Sequence, residues 1–367
     1  MKVAVIGGGI AGVSIAYELA ATAEVVLLEQ EAELARHTTG RSAAKYLQTY
    51  GNDLVRALTV ASRTGFDQMQ AEFETAPLLK PQPLLWAAFS DAPQKVPVGG
   101  PLRELSVEEA VRMCPVLRAE RLRGAAVDTS AMDIEVMALH QAYVRGLVSR
   151  GGEIRRASPV VGLQRVAGEW EVETVGASPG ALVDVVVNAA GAWVDMVAAM
   201  AGARPIGIRP LRRTLFTCPV TWRQPITGWP FVADLGERFY FKAEHDHVLV
   251  SPADETPDEP GDARPLESDI AAAIEVVNAY TTLGLRSVRA AWAGLRSFVA
   301  DRSPVVGARG SEPGFFWFAG QGGYGIQLAP ALARAGAAVV SDRPLPPDLT
   351  ALGIAADQMS PDRPALA

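Results

Sequence analysis

The sequence predicts an α/β fold with two lobes, and three observations lead to this expectation. Residues 2–29 follow the pattern strand, glycine turn, helix and strand, and both strands are continuous apolar runs, as is typical of a parallel sheet covered on both faces. Residues 204–296 consist mostly of strand-like stretches, which predicts a β-rich α+β lobe. The chain then returns through "FFWFAG" to a long apolar helix, so the first lobe is discontinuous in sequence.

The lobe boundaries follow from the same pattern. We place the first lobe in residues 1–79, 142–204 and 297–345, and the second in residues 80–141 and 205–296. Residues 346–367 are rich in proline, and we expect them to form a C-terminal tail that wraps loosely on the surface.

Composition narrows the class of protein. The 34 basic and 41 acidic residues give a net charge of -7, and without a basic run we expect no binding to nucleic acid. Two cysteines are too few for a disulfide framework. No apolar stretch reaches the roughly 18 residues of a membrane-spanning helix. "MKVAVIG" enters the first strand directly, without a separable signal sequence, so we expect a cytoplasmic protein with no integral membrane segment.

The first glycine turn has the spacing of a dinucleotide-binding loop. Gly7, Gly9 and Gly12 form G-x-G-x-x-G between a strand and a helix, where the helix N-terminus favours a pyrophosphate. Glu29 ends the second strand, where a carboxylate can accept hydrogen bonds from ribose hydroxyls. The first lobe is therefore predicted to be Rossmann-like, although the motif does not separate NAD from FAD. The cofactor contacts predicted here are Gly7, Gly9, Ile10, Ala11, Gly12, Glu29 and Gln30.

The stretch "HTTGRSAAKY", residues 37–46, follows this acid closely. It combines hydroxyl and guanidinium donors with small residues, which suits an extended cofactor running past the ribose toward a flat ring. A plain helix N-cap at Thr38 or Thr39 is the alternative. The predicted contacts are Thr38, Thr39, Gly40, Arg41, Ser42, Ala43 and Ala44.

Taken together, these features resemble the D-amino-acid oxidase superfamily of FAD enzymes, and most of all the bacterial D-amino-acid dehydrogenases typified by D-arginine dehydrogenase. The resemblance extends from Val3 to about Val340. It implies a non-covalent FAD held by the first lobe, with the flavin ring between the lobes. It rests on "VIGGGIAGVSIAYELA", Glu29, "HTTGRSAA", "VVNAAGAW", "AGLRSFVAD" and "GGYGIQ".

The resemblance assigns further cofactor contacts. It places the late glycine loop against the flavin, with backbone N–H groups and a helix start directed at the ring, although a simple helix start is the alternative. It places "VVNAAGAW" under the adenosine half and the valines of "SPVVGL" beside adenine. The residues concerned are Val161, Ala190, Gly191, Trp193, Gly322, Gly323, Tyr324, Gly325, Ile326 and Gln327.

The substrate end is predicted from buried arginine and tyrosine side chains. Arg296 lies in an apolar strand and matches the family residue that binds the substrate α-carboxylate, while an internal pair with Asp301 is the alternative. Tyr240 alternates with Phe239 and Phe241, so its hydroxyl points to the opposite face of the strand. The resemblance implies that it is a second contact for the substrate carboxylate or amine, and a core tyrosine is the alternative.

Four more residues complete the predicted substrate site. Of Arg212 and Arg213, which lie on opposite strand faces, we favour Arg213 as the site residue. Tyr50 is expected to join Tyr240 as a substrate contact, and Gln327 and the Gly323 carbonyl could hold the substrate amine.

Two positions depart from the relatives that oxidise basic D-amino acids. Leu84 stands where they carry an acid, and an apolar side chain cannot neutralise a substrate guanidinium, so neutral, apolar substrates are expected. Lys45 stands where they carry a histidine beside the flavin; it either stabilises reduced flavin or is a solvated lysine. "EHDH", residues 244–247, is expected to form a hairpin turn, so no metal site is predicted.

The function implied is FAD-dependent oxidative deamination of D-amino acids to 2-oxo acids and ammonia, with a quinone, another acceptor or oxygen reoxidising the flavin. A glycine or sarcosine-type amine oxidase and a 2-hydroxy-acid dehydrogenase are alternatives within the superfamily. A nicotinamide-dependent reductase and a non-catalytic flavin-binding scaffold are alternatives outside this activity.

Overall fold

The computed structural model describes residues 1–89, 99–175, 180–220, 226 and 228–366. The first lobe is built on a six-stranded sheet with the strand order β20-β21-β13-β1-β2-β9. Neighbouring strands run parallel, except for β20 and β21, which are antiparallel. The strands are β1 (Lys2–Ile6), β2 (Glu24–Leu28), β9 (Glu153–Arg155), β13 (Val185–Asn188), β20 (Val305–Ala308) and β21 (Phe315–Ala319).

Helices cover one face of this sheet and a small sheet covers the other. Because strand residues alternate between faces, Val3 and Val5 pack under the helices while Ala4 packs on the opposite side. The covering helices are α1 (Ile10–Leu19), α2 (Asp53–Glu72), α4 (Val136–Ser149) and α7 (Gly325–Val340). The opposite layer consists of β10 (Val160–Val166), β11 (Glu169–Thr174), β12 (Ala181–Val183) and helix α5 (Val194–Met200).

The second lobe is built on a nine-stranded sheet with the order β18-β14-β17-β16-β15-β5-β7-β6, in which β19 pairs with β14. All neighbours are antiparallel except β5 and β15. Its outer face packs on helices α3 (Val107–Met113) and α6 (Glu267–Tyr280). The strands are β5 (Leu84–Phe89), β6 (Leu102–Leu105), β7 (Leu122–Asp128), β14 (Arg209–Pro219), β15 (Phe231–Asp234), β16 (Tyr240–Glu244), β17 (His247–Ser251), β18 (Thr256–Pro257) and β19 (Ala290–Phe298).

A three-stranded antiparallel sheet and the C-terminal segment complete the fold. The sheet has the order β3 (Lys45–Tyr46), β8 (Met132–Ile134) and β4 (Leu79–Pro81). The C-terminal segment contains the short helix α8 (Pro347–Thr350) and, contrary to expectation, does not wrap loosely. Met359 is buried, and Arg363 donates from Nε to Asp301 at 2.7 Å. This tail therefore packs tightly on the first lobe.

The two-lobed α/β fold class predicted from the sequence is confirmed. The predicted boundaries fall inside three continuous elements, because the boundary between residues 79 and 80 lies within β4, residue 142 lies within α4 and residue 297 lies within β19. Helix α4 packs on α1, so its whole length belongs with the first lobe. None of the described helices has both the length and the apolarity needed to cross a membrane.

Candidate active site

A long cavity begins where four strands of the first sheet end. Gly7 follows β1, Glu29 follows β2, Ala189 follows β13 and Gly320 follows β21, and all four residues line the cavity. The strand order reverses direction at β1, and such a switch point leaves a crevice at the carboxyl ends of parallel strands. The cavity then continues to the second lobe, where strands β14, β16 and β19 contribute lining residues.

The first glycine loop is shaped by close backbone packing. Gly7 has φ 111°, and a Cβ on Gly12 would overlap the Gly7 carbonyl oxygen, so neither position accepts a side chain. Gly7, Gly9, Ile10 and Ala11 line the cavity, whereas Gly12 lies behind them. Gly12 thus lets α1 pack on the loop, and the other residues form the surface that a pyrophosphate would meet.

Glu29 is buried at the rim of this loop. Its Oε2 accepts from the Gly8 amide at 2.6 Å and its Oε1 from the Glu31 amide at 2.9 Å. Each carboxylate oxygen keeps a further lone pair, so the group can still accept from two ribose hydroxyls. Gln30 lines the cavity next to it.

The segment after Glu29 contributes five of its seven predicted contacts to the lining. The lining residues are Thr38, Thr39, Arg41, Ser42 and Ala43. Gly40 and Ala44 lie outside, and a Cβ on Gly40 would approach the Ala35 carbonyl oxygen at 2.5 Å. Arg41 forms an ion pair with Asp262 and donates to the Ala293 carbonyl at 2.9 Å. Its guanidinium therefore ties this segment to the second lobe.

The late glycine loop lies directly on strand β19. The Gly322 amide donates to the Ser297 carbonyl at 3.0 Å, and a Cβ on Gly322 would overlap the ring of Phe298. A Cβ on Gly323 would lie 3.0 Å from the guanidinium of Arg296. Close approach to β19 therefore excludes a side chain at Gly322, and one at Gly323 would require the Arg296 guanidinium to move.

Helix α7 begins at the cavity, immediately after this loop. Gly322, Gly323, Gly325 and Ile326 line the cavity, so the positive end of the helix dipole faces it. Tyr324 lies outside the lining and its ring packs edge-on against Phe298, with centroids 5.8 Å apart.

Gln327 does not lie where the sequence prediction placed it. Its Oε1 accepts from the Leu47 amide at 3.1 Å, and its Nε2 donates to Thr59 Oγ1 at 2.9 Å. The side chain is buried and does not line the cavity, because both ends of the amide are used to join α7 to neighbouring segments. This geometry does not support contact between Gln327 and a substrate amine.

The far end of the cavity is lined by Ala190, Gly191 and Trp193, as expected from the sequence. Val161 is 49% exposed and does not line the cavity, whereas its neighbour Val160 does, because strand neighbours point to opposite faces. Sequence reasoning also missed lining residues whose chemistry gave no signal. They are Ser158, Met196, Val197, Met200, Leu215, Leu295, Ser297 and Gln321. Gly294 was missed as well, although a glycine inside a strand indicates close approach, here to Thr38.

Arg296 and Tyr240 meet at the end of the cavity nearest the late glycine loop. Arg296 Nη1 and the Tyr240 hydroxyl are both buried without a hydrogen-bond partner among the described residues. Asp301 does not pair with Arg296, since it accepts from Arg363 instead. The Tyr240 ring stacks on Phe231 at 5.2 Å, and Phe239 and Phe241 face the outer core, as the alternation predicts.

The two neighbouring arginines of β14 point to different sides. Arg213 lines the cavity and pairs with Glu255, with 3.2 Å between Nη2 and Oε1. Arg212 does not line the cavity and pairs with acids of its own side, the nearest of them Asp269 at 3.2 Å.

Three predicted substrate-end residues lie behind the cavity wall. Tyr50 packs edge-on against Tyr324 at 5.2 Å. Burial lowers the pKa of the Arg296 guanidinium, but Tyr240, Tyr50 and Glu255 raise it above its usual value. Leu84 is buried in the apolar cluster that contains Tyr240. Lys45 is the third of these residues, and none of the three appears in the cavity lining.

Lys45 is neither solvated nor part of the cavity wall. Its Nζ donates to Gln82 Oε1 at 2.8 Å and to Asp133 Oδ1 at 3.1 Å, and its side chain is 5% exposed. Burial lowers the pKa of Lys45 to about 8, although Asp133 raises it. The ammonium lies 5.3 Å from the ring centroid of Phe231, one layer behind Tyr240.

The residues present fit an FAD in extended form. The Gly7–Ala11 turn suits the pyrophosphate, Glu29 the ribose, and the start of α7 a ring that gains negative charge. Buried polar atoms are normally hydrogen-bonded, yet five of them at this cavity have no partner among the described residues. They are His37 Nδ1, Tyr240 Oη, Arg296 Nη1, Ser297 Oγ and Gln321 Nε2. Neither cysteine lines the cavity, so no thiol is placed for a covalent link.

Comparison with known proteins agrees with this fit. The chain is 26% identical over 263 residues to human mitochondrial dimethylglycine dehydrogenase, covering 68% of this chain and 30% of the relative. The chain spans about a third of the length of the curated relatives it matches.

Solved structures share the fold over nearly the whole chain. L-proline dehydrogenase from P. horikoshii superposes with a TM-score of 0.82 at 20% identity, covering 99% of this chain and 97% of that one. Glycine oxidase from Geobacillus kaustophilus gives a TM-score of 0.79 at 19% identity, covering 94% and 95%. The DAO family of FAD-dependent oxidoreductases matches residues 2–339. The chain therefore belongs to the DAO family, and its cofactor is FAD.

Proposed function

We propose that this protein oxidises the C–N bond of D-amino acids with neutral, apolar side chains, giving an imino acid that hydrolyses to a 2-oxo acid and ammonia. The observation that carries the proposal is the buried, unpartnered Nη1 of Arg296 at the cavity end beside Gly323. Guanidinium groups bind carboxylates through two parallel hydrogen bonds, and burial makes an unpaired one costly. A substrate carboxylate is the partner that this site lacks.

Tyr240 supports the same assignment from the second lobe. Its hydroxyl is buried and unpartnered, and it lines the cavity together with Arg296. Two donors that converge on one point fix both the position and the orientation of a small carboxylate. The α-carbon of the substrate would then lie between these donors and the late glycine loop.

An apolar cluster lies beside the two donors. It packs Leu84, Leu215 and Phe231 around Tyr240, with Trp86 and Trp292 at its edge. Leu215 and Tyr240 line the cavity and the other four residues lie behind them, so a charged substrate side chain would lose its hydration without gaining a partner there. This favours neutral, apolar amino acids over basic ones.

The chemistry divides between the cofactor and the chain. FAD supplies a two-electron acceptor for the hydride that leaves the α-carbon. Arg296 and Tyr240 hold the carboxylate, the apolar cluster excludes water from the side-chain position, and the start of α7 stabilises negative charge at the cofactor ring. His37 lines the cavity at the other end, where its Nε2 lies 3.0 Å from Glu31 Oε1, so it is not placed as a base for the substrate amine.

Glycine, N-methylated glycines and proline form a second candidate class of substrate. The structural likeness to L-proline dehydrogenase and glycine oxidase, and the sequence likeness to dimethylglycine dehydrogenase, favour it. These compounds also present one carboxylate to Arg296, so the site chemistry accommodates both classes. The resemblance to bacterial D-amino-acid dehydrogenases supports the first class.

An anaerobic spectrum of the holoenzyme with one compound at a time separates the candidates. D-leucine or D-phenylalanine should bleach the flavin, and L-leucine should not. Bleaching only by glycine, sarcosine or proline would transfer the assignment to the second class, and bleaching only by 2-hydroxy acids would overturn both. Admission of air or of a quinone to the reduced enzyme then identifies the electron acceptor. A protein that bleaches with none of these compounds would indicate a scaffold.

A further inference from the structure

An acidic segment connects β17 to α6 and carries four acids that pair with arginines of other elements. These acids are Asp254, Glu255, Asp258 and Asp262. Asp258 pairs with Arg212 on the side away from the cavity. Glu255 differs from Asp258 in its partner, because it pairs with Arg213, which lines the cavity.

Glu255 is held firmly in its position. Arg302 donates to both of its carboxylate oxygens, at 3.0 Å to Oε2 and 2.8 Å to Oε1, and Arg213 Nη2 lies 3.2 Å from Oε1. The Arg302 guanidinium stacks on the ring of Phe298 at 3.8 Å, which fixes it against the late glycine loop. Arg213 also donates from Nε to the Asp254 carbonyl at 2.8 Å. One carboxylate therefore bridges two arginines.

This arrangement gives the two arginines at the substrate end of the cavity different partners. Arg213 has Glu255 as a paired acid, whereas Arg296 forms no ion pair among the described residues and has a buried, unpartnered Nη1. Burial would raise the pKa of Glu255, but the hydrogen bonds from Arg302 and the charges of Arg302, Arg213 and Arg296 lower it, so the carboxylate stays ionised. Of these two arginines, Arg213 shares the Glu255 carboxylate with Arg302, which does not line the cavity, and Arg296 has no paired carboxylate among the described residues.

We infer that Glu255 is a specificity-determining residue that restricts the site to substrates with a single carboxylate. It does so by occupying Arg213, which would otherwise bind a second carboxylate. A dicarboxylate bound to Arg296 would bring its second charge toward Glu255 and meet like-charge repulsion. The inference rests on the proposed function only in taking Arg296 as the carboxylate-binding group, and it corrects the sequence expectation that Arg213 contacts substrate directly.

The test uses unreactive ligands on the FAD-loaded enzyme, so that turnover is not required. Butyrate and succinate have the same four-carbon chain and differ in the second carboxylate, and their binding is read from the change in flavin absorbance. The wild-type enzyme should bind butyrate about tenfold more tightly than succinate. Glu255→Gln should shift this ratio toward succinate by about tenfold, since the amide keeps hydrogen-bonding capacity but removes the negative charge.

Asp258→Asn is the matched control. It removes one acid of the same segment, with 35% side-chain exposure against 32% for Glu255, but its arginine partner faces away from the cavity. The ratio should stay at the wild-type value in this variant. An equal shift in both variants would overturn the inference, because it would indicate a general field effect of lost negative charge.

The remaining outcomes separate this inference from the proposed function. If the wild-type enzyme binds succinate as tightly as butyrate, the inference fails even when Glu255→Gln does not fold, and the amino-acid assignment is unaffected. If both ligands bind and discriminate as expected but no amino acid bleaches the flavin, the proposed function fails and the role of Glu255 stands. If neither ligand binds, the role of Arg296 fails and both proposals fall with it.

Discussion

The two ends of the cavity differ in the groups that form their walls. At the cofactor end, much of the wall is backbone: the Gly7–Ala11 turn, the Gly320–Gly325 loop and the starts of α1 and α7. At the substrate end, the walls are long side chains, among them Arg213, Tyr240 and Arg296. Backbone sites depend on a few residues close in sequence, whereas side-chain sites depend on partners that the fold brings from far away. The predictions below test this difference.

The largest effect is expected at the backbone end. Gly12→Ala should give protein with little or no bound FAD, because the added Cβ would overlap the Gly7 carbonyl oxygen and displace the turn. Flavin content per polypeptide, measured by absorbance after purification, checks this. Gly310→Ala is the control, since a Cβ there would meet nothing within 4 Å and should leave flavin content unchanged. Full FAD occupancy in Gly12→Ala would show that the loop tolerates displacement.

The second-largest effect is expected at the substrate end of the cavity. Arg296→Leu should lower kcat/KM by about 10³-fold, because the substrate carboxylate would lose a buried, charged partner. Flavin content should stay near the wild-type value, in contrast to Gly12→Ala. Arg296→Lys keeps the charge but not the two-pronged geometry, and it should recover only part of the activity. Unchanged kcat/KM in Arg296→Leu would remove this residue from the substrate site.

The third effect is on substrate preference, and it is expected to be smaller than the effect of replacing Arg296. We expect kcat/KM for D-leucine to exceed that for D-arginine by about 100-fold, because the apolar cluster around Leu84 offers no charge to a substrate guanidinium. Steady-state assays with both substrates under one acceptor concentration measure the ratio. A ratio near one, or in favour of D-arginine, would mean that another acid reaches the substrate side chain.

The smallest effect is expected at Lys45, which lies behind the cavity wall, and it concerns the pH dependence of protein stability. Its pKa is lowered from 10.5 to about 8 in the folded protein, so between these values the unfolded chain binds more protons than the folded one. The stability of the wild-type protein should therefore rise with pH across this window, relative to Lys45→Met, by about 1 to 3 kcal/mol. Urea unfolding of both proteins at pH 7.5 and pH 10 measures this. Parallel changes in both proteins would show that the ammonium does not titrate there.

The difference between the two ends also explains which of the predicted residues line the cavity. Gly7 and Glu29 were predicted from local patterns and Trp193 from the family resemblance, and all three lie in the lining, because a turn and the strand before it fix these positions. Gln327 was predicted from the same resemblance, but its side chain donates to Thr59 on α2. The rotamer of a long side chain depends on neighbours that local sequence does not reveal.

Arg213 and Glu255 show the same limit at the substrate end. The alternation along β14 predicted that one of Arg212 and Arg213 would face the site, and Arg213 lines the cavity. No pattern predicted that Glu255, 42 residues later, would pair with it. An ion pair between two segments requires their relative position in space, which is set by the pairing of β14 with β17, β18 and β19.

The sequence by itself determined the two-lobed α/β class, the dinucleotide turn and the second glycine loop, because these depend on periodicity and on glycines that no other residue replaces. The tertiary structure alone decided the partner of each buried charge: Asp301 for Arg363, Asp133 for Lys45 and Glu255 for Arg213. It also left Arg296 Nη1 without a hydrogen-bond partner in the part of the chain that the structure describes. Charged residues that are far apart in sequence form ion pairs only where the fold brings them close together.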